Sequence, residues 1–134
     1  MSIYENILKA ISDEKRLMLV SLLLRAEDEF YVCELAYAMG ESQYNLSKYL
    51  KELKMANIVQ ERRVGRGILY QISPARDEFT EKLFSAIQAL PAEYVKKNEM
   101  LLSEIAQKRE NGQCVNIVKN IASAIIVNNK RKLT

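Results

Sequence analysis

Apolar residues return at helical spacing along most of this chain, with short polar interruptions between the runs. Ile3, Ile7, Leu8 and Ile11 make a first short helix. Leu17, Val20, Leu23 and Leu24 predict an amphipathic helix over 13–26, with Ser12 as its cap and Asp13 and Glu14 at the positive end of its dipole. After the polar break "AEDEF" (26–30), Val32, Leu35, Ala36 and Met39 recur at i, i+3, i+4 and i+7, and Gly40 suits the helix end. Ser42 restarts a helix as an N-cap, with Leu46, Leu50 and Leu53 as its buried stripe. Two short β-branched runs, "ANIVQERRV" and "GILYQIS", then meet around "GRG" and predict a hairpin.

Beyond the hairpin the period is helical again. Phe79, Leu83, Phe84, Ile87 and Leu90 run up to Pro91, which kinks that helix or opens a new one. Tyr94, Leu101, Leu102, Ile105 and Ala106 continue to a polar stop at Glu110-Asn111-Gly112. Val115, Val118, Ile121, Ala122 and Ile125 line a last helix that ends in the basic tail "NNKRK". Two short helices joined by a tight turn, then a hairpin, make a winged helix-turn-helix. The expected fold is therefore mainly α, with a two-stranded β-hairpin wing and a C-terminal helical extension. Residues 1–90 are read as the DNA-binding and dimerisation domain, and 91–134 as an extension packed on that domain or on the dimer. So much apolar helix beyond the reading unit predicts a homodimer.

Composition narrows the function. The chain has 134 residues, enough for one sizeable core, and its 49% hydrophobic and 28% charged content is that of a folded globular protein. The longest apolar run, "ASAIIV", is too short to span a bilayer, and the N-terminus does not read as a signal peptide, so no membrane partner and a cytoplasmic location are expected. Histidine is absent, which removes the commonest general base and zinc ligand, and no phosphate-binding glycine loop occurs. An enzyme is not expected. The net charge of +3 says little by itself, but "KYLKELK" (48–54) and "RRVGR" (62–66) concentrate basic residues close together.

With Leu46 at the centre of the buried face, a turn of ~100° per residue puts Tyr44, Lys48, Lys51 and Met55 on the opposite side, flanked by Asn45 and Ser47. A helix opening with Ser42, Gln43, Tyr44, Asn45, Ser47 and Lys48 suits a major groove. Gln and Asn pair with adenine, Lys reaches guanine, and the hydroxyls reach phosphates or base edges. Arg62, Arg63 and Arg66, on or beside the hairpin tip, are expected to touch backbone phosphates or enter the minor groove. The plainer reading of each residue is a solvated surface side chain; taken as one face beside a basic hairpin, they point to double-stranded DNA.

The ordered combination Val32-Cys33-Glu34-Leu35, Ser42-Gln43, Leu46-Ser47-Lys48-Tyr49-Leu50 and Leu53, followed by an aliphatic hairpin ending in "YQI", resembles the ArsR/SmtB family of winged-helix repressors. The resemblance covers about residues 3–90. It implies a homodimeric repressor, dimerised through roughly 3–11 and 77–90, that leaves its operator when an inducer binds. Family members that sense arsenic carry "C-V-C" where this chain has Tyr31-Val32-Cys33, and those that sense zinc use a histidine that it lacks.

Three roles stay open for Cys33. It joins Cys114 in a thiol site for arsenite, antimonite or another soft metal ion. It forms a reversible disulfide or polysulfide with Cys114, as a redox or persulfide sensor. Or it is a small packing residue. The expected function is a sequence-specific repressor released by a thiol-reactive inducer. The alternatives are the redox sensor, a winged-helix module for protein contacts without an inducer, and a nucleoid-like protein with little sequence preference.

Overall fold

The computed structural model describes residues 2–110. Cys114 and the helix expected around Val115–Ile125 lie outside the described residues.

Helix α1 (Ile3–Ile11) starts where the Ser2 hydroxyl accepts the Glu5 N–H and buries Ile7 and Ala10. Helix α2 (Glu14–Ala26) is capped by Asp13, whose carboxylate accepts the Arg16 N–H at 3.1 Å. Ser12, the cap expected from sequence, instead donates its hydroxyl to the Lys9 carbonyl at 2.9 Å and closes α1. Two cap-forming residues in a row let one finish a helix while the next begins another.

The short strand β1 (Phe30–Tyr31) leads directly into α3 (Val32–Met39). That helix stops at Gly40, which takes the left-handed conformation with φ of 65°. Helix α4 (Gln43–Met55) opens where Ser42 Oγ accepts the Asn45 N–H at 3.1 Å, and its expected stripe, Leu46, Leu50 and Leu53, is fully buried.

Strands β2 (Val59–Val64) and β3 (Gly67–Ile72) pair antiparallel as the expected hairpin, with Val64 opposite Gly67. Only two residues make the turn, and φ is positive at its first position, Gly65, with 58°; that is the pattern of a type II′ turn. Gly67 has a different reason to lack a side chain: a Cβ there would lie 2.7 Å from Cε1 of the buried Tyr31 ring.

The wing has three strands, in the order β1-β3-β2, where two were expected. Phe30 pairs with Tyr70 and Tyr31 with Leu69. Two residues are too few to show a period of two, and their partners lie about forty positions downstream, so this pairing is a tertiary event.

Helix α5 (Glu78–Gln88) is capped by Asp77, and after Pro91 a single 3-10 turn (Ala92–Tyr94) leads to α6 (Lys96–Gln107). Val95, Leu102 and Ile105 are buried, and the last two belong to the same apolar core as Leu19, Leu35, Leu46 and Leu53. Asn98 fastens α6 to α3 by donating to the Ala38 carbonyl at 2.8 Å. Within residues 2–110, α6 therefore packs into the same core as α2, α3 and α4. No helix of the described residues is long and apolar enough to cross a membrane.

Candidate nucleic-acid interface

The burial of Leu46, Leu50 and Leu53 fixes the opposite face of α4 in solvent. Tyr44 is 73% exposed and Met55 70%. Ser42, Gln43, Ser47, Lys48 and Lys51 are all exposed on the same helix. The Lys48 ammonium lies over the Tyr44 ring, 5.4 Å from its centre, which gives the cation an ordered position on that face.

Asn45 stands apart from these residues. It is half-buried, and its amide nitrogen donates to Glu41 Oε2 at 3.2 Å, while Glu41 Oε1 pairs with Lys15 at 3.3 Å. The side chain expected to read a base is thus held by an acidic residue from the preceding turn.

The three wing arginines also separate. Arg62 pairs across the hairpin with Leu69 and Arg63 with Ile68, so the pleat sends them to opposite faces. Arg62 turns toward Glu29, donating from Nη2 to Oε2 at 2.6 Å and from Nε to both oxygens at 3.2 Å. The hydrogen bond from Arg62 holds the Glu29 carboxyl below the usual carboxylate range, against the opposing effect of desolvation. Arg63 and Arg66 are exposed, with no hydrogen bond or ion pair among the described residues, and so remain available to an anion.

Sequence reasoning missed the polar assembly behind the wing. Glu34 is fully buried, and its Oε1 accepts the Tyr31 N–H at 2.9 Å at the start of α3. Arg109 approaches from the end of α6 with two hydrogen bonds of 2.7 Å, from Nε to Glu34 Oε2 and from Nη2 to Glu34 Oε1. Its Nη2 also donates to the Glu29 carbonyl at 3.0 Å, and the guanidinium lies 5.3 Å from the centre of the Tyr31 ring. A local signal existed for Glu34, which stands three residues after the helix cap, where a capping carboxylate belongs. None existed for Arg109, 75 positions away.

Cys33 lies next to Glu34 in a small apolar cluster with Tyr31, Leu69 and the partly buried Val64. It is disulfide-bonded. Among the described residues no group of three His, Cys, Asp or Glu side chains is placed to hold a metal ion.

Comparison with known proteins agrees with this architecture. Residues 13–61, from the cap of α2 through α3 and α4 into β2, match the family described as "Bacterial regulatory protein, arsR family". The arsenic resistance transcriptional regulator ArsR1 of Pseudomonas putida is 26% identical over 105 residues, covering 78% of this chain and 81% of that protein. The arsenical resistance operon repressor of Escherichia coli is 28% identical over 112 residues, covering 84% and 92%. Among solved structures, the homodimeric winged helix-turn-helix DNA-binding domain Mb0332 of Mycobacterium bovis, a possible ArsR-family regulator, superposes with a TM-score of 0.55. It is 30% identical and covers 66% of this chain and 77% of its own.

Proposed function

The chain belongs to the ArsR family of bacterial regulatory proteins, which are DNA-binding transcriptional regulators and not enzymes, and from that premise we propose that it is a homodimeric repressor with a sequence-specific operator. The observation that carries the reading is the solvent face of α4, with Gln43, Tyr44, Ser47, Lys48 and Lys51 exposed opposite a fully buried leucine stripe. A wing carrying exposed Arg63 and Arg66 supports it. Base-edge contacts belong to α4, whereas Arg63 and Arg66 supply phosphate contacts that fix its register.

Dimerisation uses α1 and α5. Ile3, Tyr4 and Leu8 are between 46% and 53% exposed on α1, and Tyr4 stacks edge-on against Phe79 of α5 at 5.0 Å. Tyr4 also donates its hydroxyl to Asp77 at 2.8 Å, so the two helices present one apolar surface. A second copy covering that surface sets two α4 helices at a fixed spacing, as a two-fold operator requires.

Release comes from a thiol-reactive signal at Cys33. One form is arsenite, antimonite or another soft ion held by Cys33 with Cys114. The other is a reversible link between those cysteines, in which two thiols give up two electrons and two protons to a soluble oxidant or polysulfide. The disulfide-bonded state of Cys33 supports the second form. Cys33 sits in the first turn of α3 against Leu69 and Val64 of the wing, so a change at sulfur bears on both halves of the DNA-binding surface.

Anisotropy titrations of the chain's own promoter and of a scrambled duplex test the repressor reading, which predicts tighter binding to the promoter; equal binding at moderate salt would sink it. Cys33→Ser is expected to retain promoter binding and to lose release by arsenite or persulfide. Normal release in that variant returns Cys33 to packing alone.

A further inference from the structure

The contact between Asn45 and Glu41 constrains what the recognition helix reads. An ionised carboxylate accepts hydrogen bonds and cannot donate, so only the NH2 end of the Asn45 amide can face Glu41 Oε2. A half-turn of the amide would bring two oxygens together. The amide oxygen is thereby left uncommitted, since no donor among the described residues reaches it. Glu41 is itself restrained: its side chain is 15% exposed and its other oxygen is paired with Lys15. Main-chain geometry adds to this, because Asn45 N–H is fixed on the Ser42 hydroxyl at the helix cap.

We propose that Glu41 is a positioning residue for base readout. By engaging one of the two Nδ2 hydrogens of Asn45, it fixes which way the amide faces and turns its oxygen to the DNA, so this helix position selects a base whose major-groove edge carries an amino donor. Adenine (N6) and cytosine (N4) present one; guanine and thymine offer oxygen acceptors at the corresponding places. Without Glu41 the amide turns either way and accepts all four edges at similar energy. The inference rests on the DNA-binding reading above and adds to it the identity and orientation of one specificity determinant. The negative charge of Glu41 is tolerable beside DNA because Lys15 neutralises it at 3.3 Å.

The test uses the full chain, a randomised duplex library, and titration of single-base-pair variants of the recovered site. Wild-type protein is expected to prefer adenine or cytosine over guanine or thymine at one position per half-site, by about tenfold. Asn45→Ala abolishes that preference. Glu41→Gln, whose amide can donate or accept, reduces it to about twofold or less while leaving thermal melting and the other positions unchanged. Lys15→Met, which removes the ion pair but keeps the Asn45 contact, preserves it.

Full preference in Glu41→Gln would overturn the proposal. So would an Asn45-dependent position that prefers guanine or thymine, or a recovered site with no Asn45-dependent position. Recovery of no preferred duplex at all would remove the operator reading itself, which distinguishes the two failures.

Discussion

Glu34 shows how much a single residue can depend on a distant one. Its carboxylate has no solvent exposure, and its partners are the Tyr31 N–H and the Arg109 guanidinium. A buried charge is tolerable only when it is paired and hydrogen-bonded. Arg109→Ala leaves that charge stranded under the wing, and a loss of about 3 kcal/mol is expected in urea denaturation. Glu34→Gln keeps an acceptor for the Tyr31 N–H but needs no counter-ion, so Arg109→Ala should cost clearly less in that background. Equal costs in the two backgrounds would mean that Arg109 acts through packing on Tyr31 alone. The capping role of Glu34 was legible in its spacing from Tyr31; the guanidinium that makes its burial tolerable was not. Gly67 teaches the same lesson, since its neighbour in space is the Tyr31 ring and nothing in "GRG" announces that contact.

Among the elements, α4 was the most legible and the wing the least. A buried stripe at i, i+4 and i+7 leaves one helix orientation, which is why Leu46, Leu50 and Leu53 locate the exposed face from the sequence alone. In the wing, composition showed three arginines in five residues but could not divide them. Strand pleat and pairing did that, committing Arg62 to Glu29 and leaving Arg63 and Arg66 outward. The salt dependence of DNA binding should follow this division. Arg63→Ala and Arg66→Ala are each expected to lower the slope of log affinity against log salt by about 1 per protomer, the value of one lost phosphate contact. Arg62→Ala is expected to leave the slope nearly unchanged and to act by loosening β2 from Glu29, in the segment just before β1. A slope lowered as much by Arg62→Ala as by Arg63→Ala would show that DNA draws Arg62 away from Glu29.

For the molecule as a whole, α6 is part of the fold that the first ninety residues begin. Val95, Leu102 and Ile105 are at most 2% exposed, and Asn98 and Arg109 tie the helix to both ends of α3. A chain ending at residue 90 loses three buried aliphatic side chains, each contributing about 2 kcal/mol. That sum is comparable to the whole stability of a small domain, so the fragment is expected to melt broadly and at a much lower temperature than the full chain. Circular dichroism melting checks this, and a cooperative transition at the full-length temperature would show that α6 is an appendage.

The sequence by itself determined the period of each described helix, the hairpin, the orientation of α4 and the family, because these depend on residues within a few turns of one another. Tertiary structure decided what is held by long-range contacts. It added β1 to the wing, merged 91–110 with the core, paired Glu34 with Arg109, set Arg62 and Arg63 on opposite faces, and placed Glu41 against Asn45. The last of these spans only one helical turn. Packing still enters, because it brings Lys15 of α2 within 3.3 Å of Glu41 and so makes a carboxylate at this position tolerable beside DNA.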